Sequence, residues 1–246
     1  EERPAENRVK EALSLPYLPA LRLSIRSTIP VAAGLGSGAA VSVAVARALS
    51  GFLGRPLSDE QVCALAFEIE KKHHGTPSGI DNTVITYGQP IYFQRSLPFE
   101  LIHPAAALTL VIADTGIKSN TAVAVGGVRE RRAAQLVTYE AAFTRIGQIS
   151  ALARQLIETG QIQPLGTLML ENHDLLRQVG VSISQLDHLV QTALEAGAYG
   201  AKLSGAGLGG NMLALVPPNL SADVARALQN AGAVRTIITH LAPPNP

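Results

Sequence analysis

The polar and apolar positions of the chain change period repeatedly, and each change marks an element. A short helical pattern lies between Pro4 and Pro16, after which Leu21, Leu23 and Ile25 alternate with Arg22, Ser24 and Arg26, the period of a half-buried strand. The strand runs through Thr28-Ile29-Pro30 into a glycine-rich stretch, and the small and apolar residues Val41 to Leu49 continue as a buried helix. Ser58 followed by Gln61 is a capping box; the helix it starts carries Val62, Leu65, Ala66 and Ile69 at spacings of three and four, with Gly75 as its stop. Turn formers occupy Thr76 to Asn82, and Val84–Tyr87 and Ile91–Phe93, joined by Gly88-Gln89-Pro90, read as a hairpin.

Near residue 107 the pattern restarts with a buried strand, Leu108–Ala113, which places a domain boundary between residues 106 and 107. Helical patterns follow at about 120–136, 138–159, 165–179 and 184–196, separated by Gly160, Gly180 and Gly197. A second glycine-rich stretch, Ala201–Gly210, precedes strand Met212–Val216, helix Ala222–Ala231 and strand Val234–Thr239, and the tail Pro243–Pro246 is expected to fray. Strands and helices thus share two domains of mixed α and β character, residues 1–106 and 107–246.

Composition narrows what such a fold can do. The 246 residues are 47% hydrophobic and 16% charged, with a mean hydropathy of +0.21, which excludes disorder. Twenty basic against nineteen acidic residues leave +1, so no global field draws in a nucleic acid or an anionic membrane surface. Cys63 is the single cysteine, which excludes an internal disulfide and suits a reducing cytoplasm. No run reaches the ~18 unbroken apolar residues of a membrane span, and the first residues lack the apolar stretch of a signal peptide. The expected setting is cytoplasmic. The chain starts at Glu1 without an initiator Met, so residues upstream are expected.

Two glycine runs carry candidate chemistry. Gly34, Gly36 and Gly38 let the backbone approach an anion at the start of a helix, and Ser37 adds a hydroxyl. The Gly-Lys-Ser/Thr ending of a Walker A loop is absent, and tight packing of a small-residue helix explains the same spacing equally well. Gly205, Gly207 and Gly210 satisfy G-x-G-x-x-G, but a strand pattern follows where a dinucleotide fold needs a helix. That loop joins two strands and brings backbone near a ligand or a packed neighbour.

Glu70 falls in the last turn of the capped helix, where the negative end of the dipole disfavours an anion by ~0.3–1 kcal/mol. It calls for a cation, either Lys71 or Lys72 or a bound Mg²⁺. Asp81 in Pro-Ser-Gly-Ile-Asp-Asn suits an Asx turn as readily as catalysis. His73 and His74 are adjacent and do not share a helix face, which argues against a paired metal site. His173 reads as a satisfied polar residue, and Arg129, Arg131 and Arg132 as a solvated helix face.

Taken together these segments resemble the GHMP small-molecule kinases and, among them, the mevalonate kinases. Pro30 to Ala40 is similar to the family's phosphate-binding second motif, and Lys202 to Gly210 to its third. The narrower likeness is Glu70 through Asn82, with Asp114-Thr115-Gly116, Thr121, Val128-Arg129, Asn172 to Leu176 and Gly180-Val181-Ser182 matching in order and spacing. The resemblance implies an α+β, two-domain GHMP kinase fold with the active site between the domains. Its N-terminal part is like domain 2 of ribosomal protein S5 and incomplete here, because the family's first motif, which supplies a Lys, has no counterpart. Its C-terminal domain is ferredoxin-like. A leading strand lost from a sheet would expose an edge, and a homodimer is one expectation.

The activity implied is transfer of a phosphoryl group from ATP to the primary hydroxyl of mevalonate, an isoprenoid precursor. Gly34, Leu35, Gly36, Ser37, Gly38 and Ala39 would hold the nucleotide phosphates, with Ser204, Gly205, Ala206 and Gly207 on the floor of the site. Glu70 would bind Mg²⁺, with Ser37 or water assisting, since Gly38 stands where many members have a second Ser. Asp81 would handle the hydroxyl proton, and Thr121 would contact the acceptor. Other GHMP kinases acting on phosphomevalonate, homoserine or a sugar, and a non-catalytic relative that keeps the fold, are the alternatives.

Overall fold

A computed structural model describes residues 4–27, 29, 34–74, 77–95 and 97–243. The chain divides into two units, Glu1–Leu101 and Ile102–Pro246. The expectations at Pro30–Ala33, the stop at Gly75 and the end of the tail lie outside the described residues.

In the first unit the described elements are α1 (Pro4–Ala12), α2 (Ser37–Phe52), α3 (Asp59–His74), α4 (Ile80–Tyr87), β1 (Ile91–Tyr92) and β2 (Glu100–Leu101). The capping box forms as the sequence predicts: Gln61 N donates to Ser58 Oγ at 3.3 Å, and Ser58 N donates to Gln61 Oε1 at 2.9 Å. Val62, Leu65, Ala66 and Ile69 of α3 are buried against Val43, Ala46 and Leu49 of α2, with Val9 of α1 completing the cluster. The alternating segment at Leu21 is not a strand; residues 21–27 take no regular structure, and Leu21 and Leu23 instead pack at the edge of this cluster. The period matches the burial at Leu21 and Leu23 but fails at Ile25, which is exposed, and among the described residues no strand pairs with the segment.

The hairpin at Val84–Phe93 is also corrected. Residues 80–87 form α4, and Ile91–Tyr92 pairs antiparallel with Glu100–Leu101 instead. Asn82, Thr83 and Thr86 are buried, and Gly88 in the left-handed region (φ 63°) closes the helix. The β-branched residues Val84, Ile85 and Thr86 favour a strand by propensity, but a polar face spaced for α2 and α3 overrides it.

The second unit contains β3 (Leu108–Asp114), α5 (Thr121–Ala134), α6 (Leu136–Glu158), α7 (Ile162–Gln178), α8 (Ser184–Glu195), β4 (Gly200–Ser204), β5 (Asn211–Val216), α9 (Ser221–Asn230) and β6 (Arg235–Leu241). All pairings are antiparallel and the order is β4-β5-β3-β6, the ferredoxin-like arrangement. Val111, Leu203, Met212 and Ala214 face Leu186, Leu189, Val224 and Leu228 of α8 and α9 in one core. Helix α7 meets edge strand β4 through Gly166 and Gly200, where a methyl on either would fall under 3 Å from backbone. Arg131, expected on a solvated face, instead donates through Nη2 to Val179 O at 3.0 Å and Gly180 O at 3.1 Å, just past the end of α7. A guanidinium there complements the negative end of the helix dipole.

Candidate active site

Helix α2 begins after two glycines in the left-handed region, Gly34 (φ 72°) and Gly36 (φ 67°). Gly36 is its N-cap and brings no side chain, and the first turn holds no acidic residue. Such an end presents backbone N–H groups and the positive end of a dipole to an incoming anion. A methyl at Gly36 would sit 3.0 Å from Ile85 Cδ1 and 3.6 Å from Asp81 Cγ; one at Gly38 would sit 3.1 Å from Glu70 Oε1. Carboxylates from α3 and α4 therefore lie against the start of α2. The three parts of the site predicted within this unit, Gly34–Ala39, Glu70 and Asp81, come together.

Glu70 is buried. Lys71, one of the lysines offered as its partner, is engaged elsewhere: its Nζ donates to Glu68 Oε1 at 2.6 Å and lies over the Phe67 ring. Asp81, by contrast, is exposed in the first turn of α4. What fixes Asp81 is the opposite face of that helix. Asn82 Nδ2 donates to Cys63 O at 3.3 Å and Sγ at 3.2 Å, and Thr83 Oγ1 donates to Gly79 O at 2.7 Å. Arg47 Nη2 donates to Thr86 O and to Asp59 Oδ1, each at 2.6 Å. Sequence reading gave Asn82 no role and missed Arg47; an Asn next to the Asp81 carboxylate was the available signal, hidden by taking the segment as a turn.

In the second unit, Ser204 ends β4 and the following loop has positive φ at Gly205, Gly207, Leu208, Gly209 and Gly210. It is clasped on several sides. Leu208 N donates to Val181 O at 2.8 Å, Ser119 Oγ to Gly207 O at 2.5 Å, Gly210 N to Ile117 O at 2.8 Å, and Thr115 Oγ1 to Gly210 O at 2.8 Å. Thr121, the first residue of α5, is exposed two positions beyond Ser119, and Asn120 caps that helix by accepting from Val123 N at 3.2 Å. Thr115 entered the sequence reading only within the Asp114-Thr115-Gly116 match, with no role given to it, and Ser119 carried no distinctive signal. Beside Ser204, Lys202 Nζ donates to Leu203 O at 2.8 Å, and burial pushes its amine down to about 8.

His173 is buried and satisfied, as expected. Its Nδ1 accepts from Leu203 N at 3.3 Å and its Nε2 faces Asp187 Oδ1 at 3.0 Å, so the ring proton resides on Nε2. Burial lowers its pKa against the opposing pull of Asp187. Ser182 Oγ donates to Asp187, not to the imidazole, so the three groups do not form a nucleophilic triad.

The chain matches the model of the GHMP kinases N terminal domain over residues 5–89 and that of the GHMP kinases C terminal domain over residues 151–234. It is 39% identical over 234 residues to the mevalonate kinase of Thermococcus sibiricus, covering 91% of this chain and 69% of that protein. The chain belongs to the GHMP kinases. A second GHMP kinase, the mevalonate kinase of Pyrococcus horikoshii, is 40% identical over 87% of this chain and 65% of its own length, so the chain spans about two thirds of these relatives. Among solved structures, L. major mevalonate kinase in complex with R-mevalonate superposes with a TM-score of 0.86 at 33% identity, covering 99% of this chain and 77% of that one. Lactococcus lactis galactokinase, at 17% identity and a TM-score of 0.70, shares the fold.

GHMP kinases are ATP-dependent, and the residues present fit that ligand. Gly36 and Gly38 form a cradle that a Cβ would fill, at a helix whose own first turn holds no acidic residue. A Mg²⁺ bound with nucleotide takes one or two protein carboxylates and completes its shell from phosphates and water. Glu70 beside Gly38 suits that demand, and among the described residues no group of three or more His, Cys, Asp or Glu offers a metal site built from protein alone. No helix among the described residues is long and apolar enough to cross a membrane.

Proposed function

We propose that this GHMP kinase transfers the γ-phosphoryl group of ATP to the primary hydroxyl of mevalonate. The observation that supports the reading is the convergence of Glu70 and Asp81 on the glycine-led start of α2. The amides of Gly36 to Ala39 hold phosphate oxygens, and the α2 dipole favours their charge. Ser37 adds a donor at the first helical position. Glu70 and Ser37 would hold Mg²⁺, which when bound neutralises charge on the β- and γ-phosphates.

Asp81 is exposed on a helix fixed from its other face, which suits a group that must meet a substrate in one orientation. It accepts the hydroxyl proton as the new O–P bond forms and the bond to the β–γ bridging oxygen breaks, releasing ADP. In the second unit, the family resemblance assigns Ser204 to Gly207 to the nucleotide and Thr121 to the acceptor. Hydrogen bonds with Thr115, Ile117, Ser119 and Val181 hold the second glycine loop in one shape.

The test is ADP release from Mg·ATP with mevalonate, phosphomevalonate, homoserine and galactose offered in turn, with the product identified by phosphorus NMR. Mevalonate alone should turn over, giving 5-phosphomevalonate. Turnover of a different acceptor replaces the substrate assignment, and ATP binding without turnover of any acceptor makes the chain a non-catalytic relative. Asp81→Asn should leave ATP affinity within about twofold and lower turnover by roughly 10²–10⁴-fold; near-normal turnover removes Asp81 from this role.

A further inference from the structure

Leu203 is the last core residue of β4 before the Ser204–Gly207 loop, and β4 lies at the edge of its sheet. Its N–H is taken by a side chain, the imidazole of His173 on α7. The same imidazole reaches Asp187 in the first turn of α8. Asp187 Oδ1 also accepts from Ser182 Oγ at 2.6 Å, and its Oδ2 accepts from Arg177 Nε at 3.2 Å. Ser182 adjoins Val181, whose carbonyl accepts Leu208 N at 2.8 Å at the far end of the glycine loop.

One carboxylate is thereby tied to both ends of the loop, through His173 to Leu203 and through Ser182 and Val181 to Leu208. We propose that His173 and Asp187 are positioning residues that hold the Ser204–Leu208 loop in its phosphate-facing shape. The inference rests on the functional reading only in giving the loop a ligand; the positioning itself is a property of the free protein. The arrangement is economical in its geometry, because a neutral imidazole supplies an acceptor on one side and a donor on the other. Gly166 and Gly200 make it reachable by pressing α7 directly on β4.

Amide hydrogen exchange tests this residue by residue, on the unsubstituted chain and on His173→Gln, His173→Asn and Ser182→Ala. Gln reproduces the Nε2 donor but loses the acceptor for Leu203; Asn keeps an acceptor near the Nδ1 position. His173→Gln should speed exchange at Leu203 and through Ser204–Leu208 by about tenfold, as loss of one buried hydrogen bond implies, with Val111 in β3 unchanged. His173→Asn should restore protection at Leu203. Ser182→Ala, a small change that leaves the core intact, should loosen Leu208 while Leu203 stays protected.

Unchanged exchange at Leu203–Leu208, or a rise spread equally over β3 and β5, overturns the proposal and reduces the cluster to general stability. ATP affinity measured on the same variants separates the two readings. Weaker ATP binding that follows the loop exchange, and recovers in His173→Asn, supports the positioning role. An unsubstituted chain that binds no ATP overturns the functional reading, and the exchange pattern still decides the positioning one.

Discussion

Gly38→Ala sets stability and function against each other at one atom. The new methyl falls at the second position of α2, where replacing glycine by alanine removes backbone freedom worth at most about 1 kcal/mol. It also falls 3.1 Å from Glu70 Oε1, closer than ordinary contact, so the neighbour must give by a few tenths of an ångström. That neighbour is the far end of a flexible side chain, and the cheapest response is rotation of the carboxylate away from α2. Folding stability should therefore stay level or rise by up to about 1 kcal/mol, while the Mg²⁺ concentration that supports half-maximal ADP release rises roughly tenfold, the effect of disturbing a metal's immediate surroundings. Thermal denaturation and a Mg²⁺ titration of the same preparation read the two quantities. A loss of stability beyond about 1 kcal/mol would show that Glu70 is pinned. An unchanged Mg²⁺ requirement in a stable variant would remove Glu70 from the metal.

Two further predictions concern the second unit. Burial holds the Lys202 amine near 8 against an ordinary 10.5, so the folded chain disfavours the ammonium. Below about 8 both states are protonated and the folded one carries the full cost; as pH rises towards 10.5 the folded chain is already neutral, and stability climbs by up to about 3 kcal/mol. Lys202→Met should raise stability near pH 7 and flatten that climb in urea titrations; a variant that keeps the climb refutes the cause. Arg131→Met should lower stability by about 2 kcal/mol through loss of charge-assisted hydrogen bonds to Val179 O and Gly180 O. Arg131→Lys should recover little of it, because an ammonium lacks the guanidinium fork, and full recovery by Lys would refute the geometry.

Much of the second unit was legible because its signals were periodic and punctuated. Helices between Gly160, Gly180 and Gly197, and strands with unbroken apolar cores at Leu108 and Met212, form where the pattern places them. The first unit was less legible where polar residues do the packing. Asn82, Thr83 and Thr86 are buried on α4, so a helix face read as turn and strand. The same cause hid part of the candidate site. Glycine spacing and the dipole argument led to Gly34–Ala39 and Glu70, yet Asn82 and Arg47 act by reaching backbone atoms distant in sequence, Cys63 O and Thr86 O. Arg131 shows the limit of reading charge runs: its neighbour Arg132 pairs with Glu140 on the surface, while Arg131 itself turns inward.

The contact of Gly166 with Gly200 bears on how this chain tolerates change. A methyl at Gly166 runs into Tyr199 O and one at Gly200 into Gly166 O, so in each direction the obstruction is main chain. Main chain cannot be trimmed by a second substitution at the facing position, and no pair of exchanges between the two restores the fit. A lesion at either glycine is thus without a local suppressor. Genetic reversion has to come from the original codon, or from distant changes that shift all of α7 along or away from β4, where His173 would lose its hold on Leu203.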